Sequence, residues 1–85
     1  MAFSKLYWSD IGQNAKIESA NLDGENRRVL VKEDIYWPTG LALDTPNRRL
    51  YWADAKKKTI ESTTLDGRNR VTVWKFSAGK EFVNI

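Results

Sequence analysis

Apolar and polar residues alternate with a period of two along several short stretches of this chain, and turn-forming residues separate those stretches. Residues 50–53, Leu-Tyr-Trp-Ala, follow the punctuation Thr45-Pro46-Asn47, as a strand does after a hairpin turn. Residues 60–64 form the next predicted strand. Asp66-Gly67 then supplies residues that tolerate positive φ in a tight turn, and residues 70–74 return. The same order is written upstream, with predicted strands over 5–9, 16–21 and 28–32 and a turn at Asp23-Gly24. Residues 40–44 make a further strand ahead of 50–53, and no segment asks for a helix.

The upstream and downstream patterns are near copies. Leu6-Tyr7-Trp8-Ser9-Asp10 recurs as Leu50-Tyr51-Trp52-Ala53-Asp54, Ile17-Glu18-Ser19 as Ile60-Glu61-Ser62, and Leu22-Asp23-Gly24 as Leu65-Asp66-Gly67. Tyr51 stands 44 positions after Tyr7. A period of about 40 to 50 residues marks propellers and arrays, whose unit is a small sheet unable to bury both faces alone. The chain therefore reads as two consecutive units of a ring.

These motifs resemble the YWTD, or class B, repeats of the low-density lipoprotein receptor family. The segment Ile35-Tyr36-Trp37-Pro38-Thr39-Gly40-Leu41-Ala42-Leu43-Asp44 resembles the stretch that opens a new blade there, and the resemblance covers roughly residues 5–75. It implies an all-β fold of two four-stranded propeller blades per chain, a six-bladed ring, and a non-catalytic ligand-binding module in an extracellular setting.

Laid on that blade pattern, residues 1–85 form a single two-blade unit whose first blade, about 5–32, lacks an innermost strand. The second blade spans about 38–75. After the turn Ser77-Ala78-Gly79, residues 81–85 are apolar enough to be a spare innermost strand. The expectation is head-to-tail association, in which residues 81–85 complete the first blade of a neighbouring chain through Phe82, Val83 and Ile85. Three chains would then supply the six blades that the resemblance implies.

Composition narrows the possibilities. A chain of 85 residues hides only about 60% of its unfolded surface, so a small core must come largely from its four Trp, three Tyr and three Phe. Cys is absent, so no disulfide staples the unit, and association is the expected source of stability. No apolar run is long enough for a membrane-spanning helix, and Met1-Ala2-Phe3-Ser4-Lys5 is not the start of a signal peptide. The net charge of +3 is spread among turns and strand ends, at Arg27-Arg28, Arg48-Arg49 and Lys56-Lys57-Lys58, so no nucleic-acid partner is expected.

The chain has neither His nor Cys, which removes the commonest general base, the best thiol nucleophile and the usual zinc ligands. An enzyme is not expected, nor a cofactor or metal. Asp10 and Asp54 recur at one repeat position and read as structural acceptors, whereas Asp44, facing a central channel, lacks a second carboxylate beside it for Ca²⁺.

Tyr7, Trp8, Tyr51 and Trp52 read as packing between blades because their positions repeat. The candidate ligand site falls instead on the connection Tyr36-Trp37-Pro38-Thr39-Gly40, an aromatic pair on a short loop of a rigid scaffold. The resemblance implies that this loop reaches the ligand face, where Asn often stands at the position of Thr39. Trp74 and Phe76 are assigned to the equivalent linker of the second blade. The alternative role for Trp37 is a wedge between blades. The ligand is a protein or a glycan: a protein-binding module is the first reading, an oligomeric lectin or an engineered self-assembling propeller the alternatives.

Overall fold

The computed structural model describes residues 5–76. Phe82, Val83 and Ile85, the expected closing strand, lie outside the described residues. Seven strands form in chain order: β1 Lys5–Asp10, β2 Lys16–Asn21, β3 Arg28–Val31, β4 Pro38–Asp44, β5 Arg49–Asp54, β6 Thr59–Thr64 and β7 Val71–Lys75. They make two antiparallel sheets, one of three strands in the order β1-β2-β3 and one of four in the order β4-β5-β6-β7.

The sheets are built alike because the repeated residues make the same local choices. Both carry a register shift at an Ile-Glu step, between Ile17 and Glu18 in the first and between Ile60 and Glu61 in the second. Both close their last hairpin with Gly and Asn in left-handed conformation, Gly24 and Asn26 in one and Gly67 and Asn69 in the other. Such φ values cost little at Gly and at Asn.

The first sheet lays Ile17 and Val31 toward the second, which answers with Leu50 and Trp52, and Ala15 and Ile35 complete the buried cluster. Each large apolar side chain buried there is worth about 1.5 to 3 kcal/mol. Tyr7, Leu30, Leu41 and Leu65 pack around its rim.

Two expectations about element ends are corrected. β4 starts at Pro38, two residues before the expected Gly40, so Thr39 and Gly40 belong to a strand and the loop is shorter than expected. Proline is tolerated as a first strand residue because no ladder bond needs its missing N–H. Trp74 lies inside β7 opposite Ile60, as the predicted strand over 70–74 has it and in the register position that Val31 holds opposite Ile17, so its assignment to the linker with Phe76 is corrected.

Candidate ligand-binding face

The hairpin between β5 and β6 organises one end of the second blade. Asp54 is fully buried and accepts four backbone N–H bonds: from Tyr36 at 2.8 Å, Trp37 at 3.2 Å, and Lys56 and Lys57 at 3.1 Å each. One carboxylate therefore closes its own turn and also fixes the chain arriving from the first blade. The Ala55 N–H donates to the Trp37 carbonyl at 2.9 Å, and on the other flank the Phe76 N–H donates to the Lys58 carbonyl at 2.9 Å. Tyr36 and Trp37 are thus held on one side of the hairpin and Phe76 on the other.

The side chains at this end are open. Trp37 is 50% exposed although its backbone is fixed on both sides. The Lys56 ammonium sits 5.4 Å from the Tyr36 ring centroid and 5.7 Å from that of Trp37, within reach of a cation–π attraction. Trp74 and Phe76 meet edge to face, with centroids 6.4 Å apart and planes at 70°. Of the five residues singled out from sequence, Tyr36, Trp37 and Phe76 gather around the hairpin, Trp74 adjoins Phe76 from β7, and Thr39 is exposed on β4.

Sequence reasoning passed over a polar network that steadies this end from beneath. Glu61 is buried and accepts from Arg70 Nε at 2.8 Å, Lys57 Nζ at 3.0 Å and the Thr59 hydroxyl at 2.8 Å. Burial opposes its charge, yet these bonds, that from Arg70 above all, hold its carboxyl below the ordinary glutamate value. Arg70 also donates to the carbonyls of Glu33 at 2.5 Å and Asp34 at 2.7 Å, and its guanidinium lies 5.4 Å from the Trp52 ring centroid. Lys57 pairs with Asp34 at 2.7 Å, which lowers the Asp34 pKa. The segment leading into Tyr36 is therefore tied to the second blade by side chains as well as by packing. The signal was present in the repeat, since Glu18 and Arg27 are spaced nine residues apart just as Glu61 and Arg70 are.

The first blade serves as an internal comparison, because among the described residues no further sheet packs against the same motif residues. Asp10 pairs with Lys16 at 3.7 Å and shares a hydrogen bond with Glu18, and Arg27 makes a two-pronged bond to Glu18 at 2.7 and 3.1 Å while its guanidinium lies 5.6 Å from the Trp8 ring centroid. Leu6 is 48% exposed where its counterpart Leu50 is fully buried. A Cβ added to Gly67 would stand 2.6 Å from the Leu30 carbonyl oxygen, whereas one added to Gly24 would meet nothing within 4 Å. Leu50 and Gly67, which dock the second blade on the first, thus have in Leu6 and Gly24 twins without such a contact.

Asp44 accepts from Asn47 at 2.8 Å, and no group of three or more His, Cys, Asp or Glu that could hold a metal ion occurs among the described residues. Nor is any helix among them long and apolar enough to cross a membrane.

Consecutive antiparallel sheets of three and four strands, each carrying a Leu-Tyr-Trp-x-Asp strand, the second stapled to the incoming chain by buried Asp54, match a β-propeller of YWTD type. Residues 4–45 match the family model of the low-density lipoprotein receptor repeat class B, and the chain belongs to that family. It is 50% identical over 66 residues to the vitellogenin receptor of Solenopsis invicta, covering 78% of this chain and 4% of the receptor. It is 48% identical over 69 residues to the low-density lipoprotein receptor-related protein 5-like protein of Homo sapiens, covering 81% of this chain and 27% of that protein. Nidogen of Drosophila melanogaster is 47% identical over 62 residues, which is 73% of this chain and 4% of nidogen. A chain in the crystal structure of a nidogen/laminin complex superimposes with a TM-score of 0.75 at 33% identity, covering 82% of this chain and 27% of that one. The chain therefore spans no more than about a quarter of the length of these relatives.

Proposed function

We propose that this chain is a two-blade unit of a non-catalytic, extracellular β-propeller that binds a protein ligand at the hairpin end of its second blade. Tyr36, Trp37 and Phe76 around Lys56 form the contact surface, with Thr39 beside them. The observation that carries this reading is a half-exposed Trp37 whose backbone is clamped by Asp54 and Ala55. An exposed aromatic on an already ordered segment loses little entropy when it docks, and such residues anchor protein interfaces. Receptors among the relatives, and a solved nidogen in complex with laminin, favour a protein over a small molecule. Peptide and glycan arrays probed with the wild-type chain and with Trp37→Ala test it. Peptide spots lost on substitution support the reading, and binding unchanged by the substitution overturns it.

The same reading includes closure into a ring. The first blade presents Leu6, Trp8, Asp10, Gly24 and Arg27, the twins of residues that the second blade uses for docking. The outer face of the second blade carries Ile60 and Trp74 in the register positions of Ile17 and Val31. Pairing of these two faces between copies repeats the contact already formed within the chain, and three copies reach the six blades of the family. In that ring Phe82, Val83 and Ile85 of one copy lie along the free edge of β1 in the next.

A further inference from the structure

A groove of about 600 Å³ opens between the two blades at the opposite end of the strands from Trp37. Its position follows from the register. Tyr7, Ser19 and Arg28 are consecutive partners across β1, β2 and β3, and they face the β4–β5 and β6–β7 turns of the second blade, which bring Asn47, Arg48 and Arg68. β5 runs from this end, at Arg49, to the candidate ligand face, at Asp54. The groove is therefore separate from the site proposed above.

Its charge is one-sided. Lys5, Arg28, Arg48 and Arg68 line it against the single carboxylate of Asp66, which is engaged by Arg68 at 3.6 Å and by the Thr64 hydroxyl. Lys5, Arg28 and Arg48 have no carboxylate partner among the described residues, although unneutralised cations gathered around one concavity repel each other. Arg48 is moreover held at φ 55, a left-handed conformation that non-glycine residues adopt at some cost. Arg48 lines the groove from that turn, whose Arg48 N–H donates to the Thr45 carbonyl at 3.1 Å.

We propose that this groove binds an acidic peptide segment in extended form. Guanidinium groups match carboxylates in pairs of parallel hydrogen bonds, which favours aspartate and glutamate side chains as the bound groups. A peptide also uses what a purely anionic polymer does not: Asn47 and Asn69 can donate to and accept from a peptide backbone, and Asp66 can accept a peptide N–H. The Tyr7 ring and Leu65 supply apolar walls for the stems of the ligand side chains.

Fluorescence anisotropy with fluorescein-labelled hexaglutamate, titrated with the full 85-residue chain, tests the proposal. Saturable binding is expected, and it should weaken as salt rises through about 150 mM, where exposed charges farther apart than about 8 Å are screened. Arg48→Gly and Arg28→Ser should each weaken it by about fivefold or more, as loss of a charge-paired contact does, while Lys32→Ser, outside the groove, changes it less than about twofold. Glycine suits the left-handed backbone at position 48, so Arg48→Gly should melt no lower than wild type and its loss of binding cannot be a folding defect. Absence of saturable binding would overturn the proposal. So would equal losses from Lys32→Ser and Arg48→Gly, which would reveal a response to net charge alone, or binding of a heparin-derived hexasaccharide with none of hexaglutamate.

Discussion

Asp54 and Asp10 occupy the same place in the repeated motif and live in different surroundings. Asp54 ties four backbone N–H groups, two of them from the chain entering from the other blade, whereas Asp10 meets Lys16 and the Glu18 carboxyl. Removing a buried charged acceptor leaves its donors unpaired, so Asp54→Ala should cost about 3 kcal/mol or more in urea unfolding. Trp37 and Trp52 make a similar contrast. Trp52 is fully buried beside Leu50 and Ile17, so Trp52→Ala opens a cavity and should cost about 3 to 5 kcal/mol. Half-exposed Trp37 should lower the melting temperature far less when truncated, while weakening ligand binding by about 2 kcal/mol as a central anchor does. A Trp37→Ala variant that melts as low as Trp52→Ala would make Trp37 the wedge between blades.

The two buried glutamates give the protein a defined acid limit. The Arg27 guanidinium, and then a hydrogen bond with Asp10, hold the Glu18 carboxyl down at about 2 from an ordinary 4.5, and Glu61 is lowered in the same direction. A carboxyl with a lowered folded-state pKa stabilises the fold above its unfolded value, and that stability is lost as pH falls through the folded value. Melting temperature should therefore hold steady down to about pH 5 and drop between about pH 4.5 and 2. Glu61→Gln should melt lower near neutral pH and fall less steeply in acid. An acid limb as steep in this variant as in wild type would remove Glu61 from the account.

At the scale of the element, strands were the most legible feature, because alternation and the Asp-Gly and Pro-Asn turns mark both sides of most of them. The ends were less so. Pro38 reads as a loop residue, yet it opens β4 because the first position of a strand needs no ladder donor. Trp74 reads both as the last residue of the strand over 70–74 and as a linker aromatic beside Phe76, and pairing with Ile60 puts it in β7, which runs to Lys75. Of the candidate site, the aromatics were legible from their loop context. The cation beside them was not, because the approach of Lys56 to Tyr36 and Trp37 is set by Asp54, which folds the hairpin back onto the incoming chain. Arg70 was missed for a related reason, since its acceptors are carbonyls of Glu33 and Asp34, more than thirty residues away. At this scale the account also assigns a role to residues 81–85 as the strand that pairs with β1 of another copy. Deleting them should dissociate the assembly and lower the melting temperature, because each large apolar side chain it buries is worth about 1.5 to 3 kcal/mol. A truncated chain that elutes and melts like the full one would exclude that role.

At the scale of the whole molecule, the inter-blade contact is present once within the chain and its two halves are exposed at the chain's outer faces. Leu6 at 48% and Trp74 at 59% exposure are large apolar residues that one more round of the same contact would cover. The family resemblance was legible from the LYWSD and LYWAD motifs, whereas the number of chains in a ring was not, since blade count depends on the angle between neighbouring sheets and no motif encodes it. The most direct test is the molar mass of the purified 85-residue chain by light scattering on a sizing column. The account expects a single species at three times 9.8 kDa, about 29 kDa, that keeps this mass on dilution. A folded, stable monomer at 9.8 kDa would contradict it.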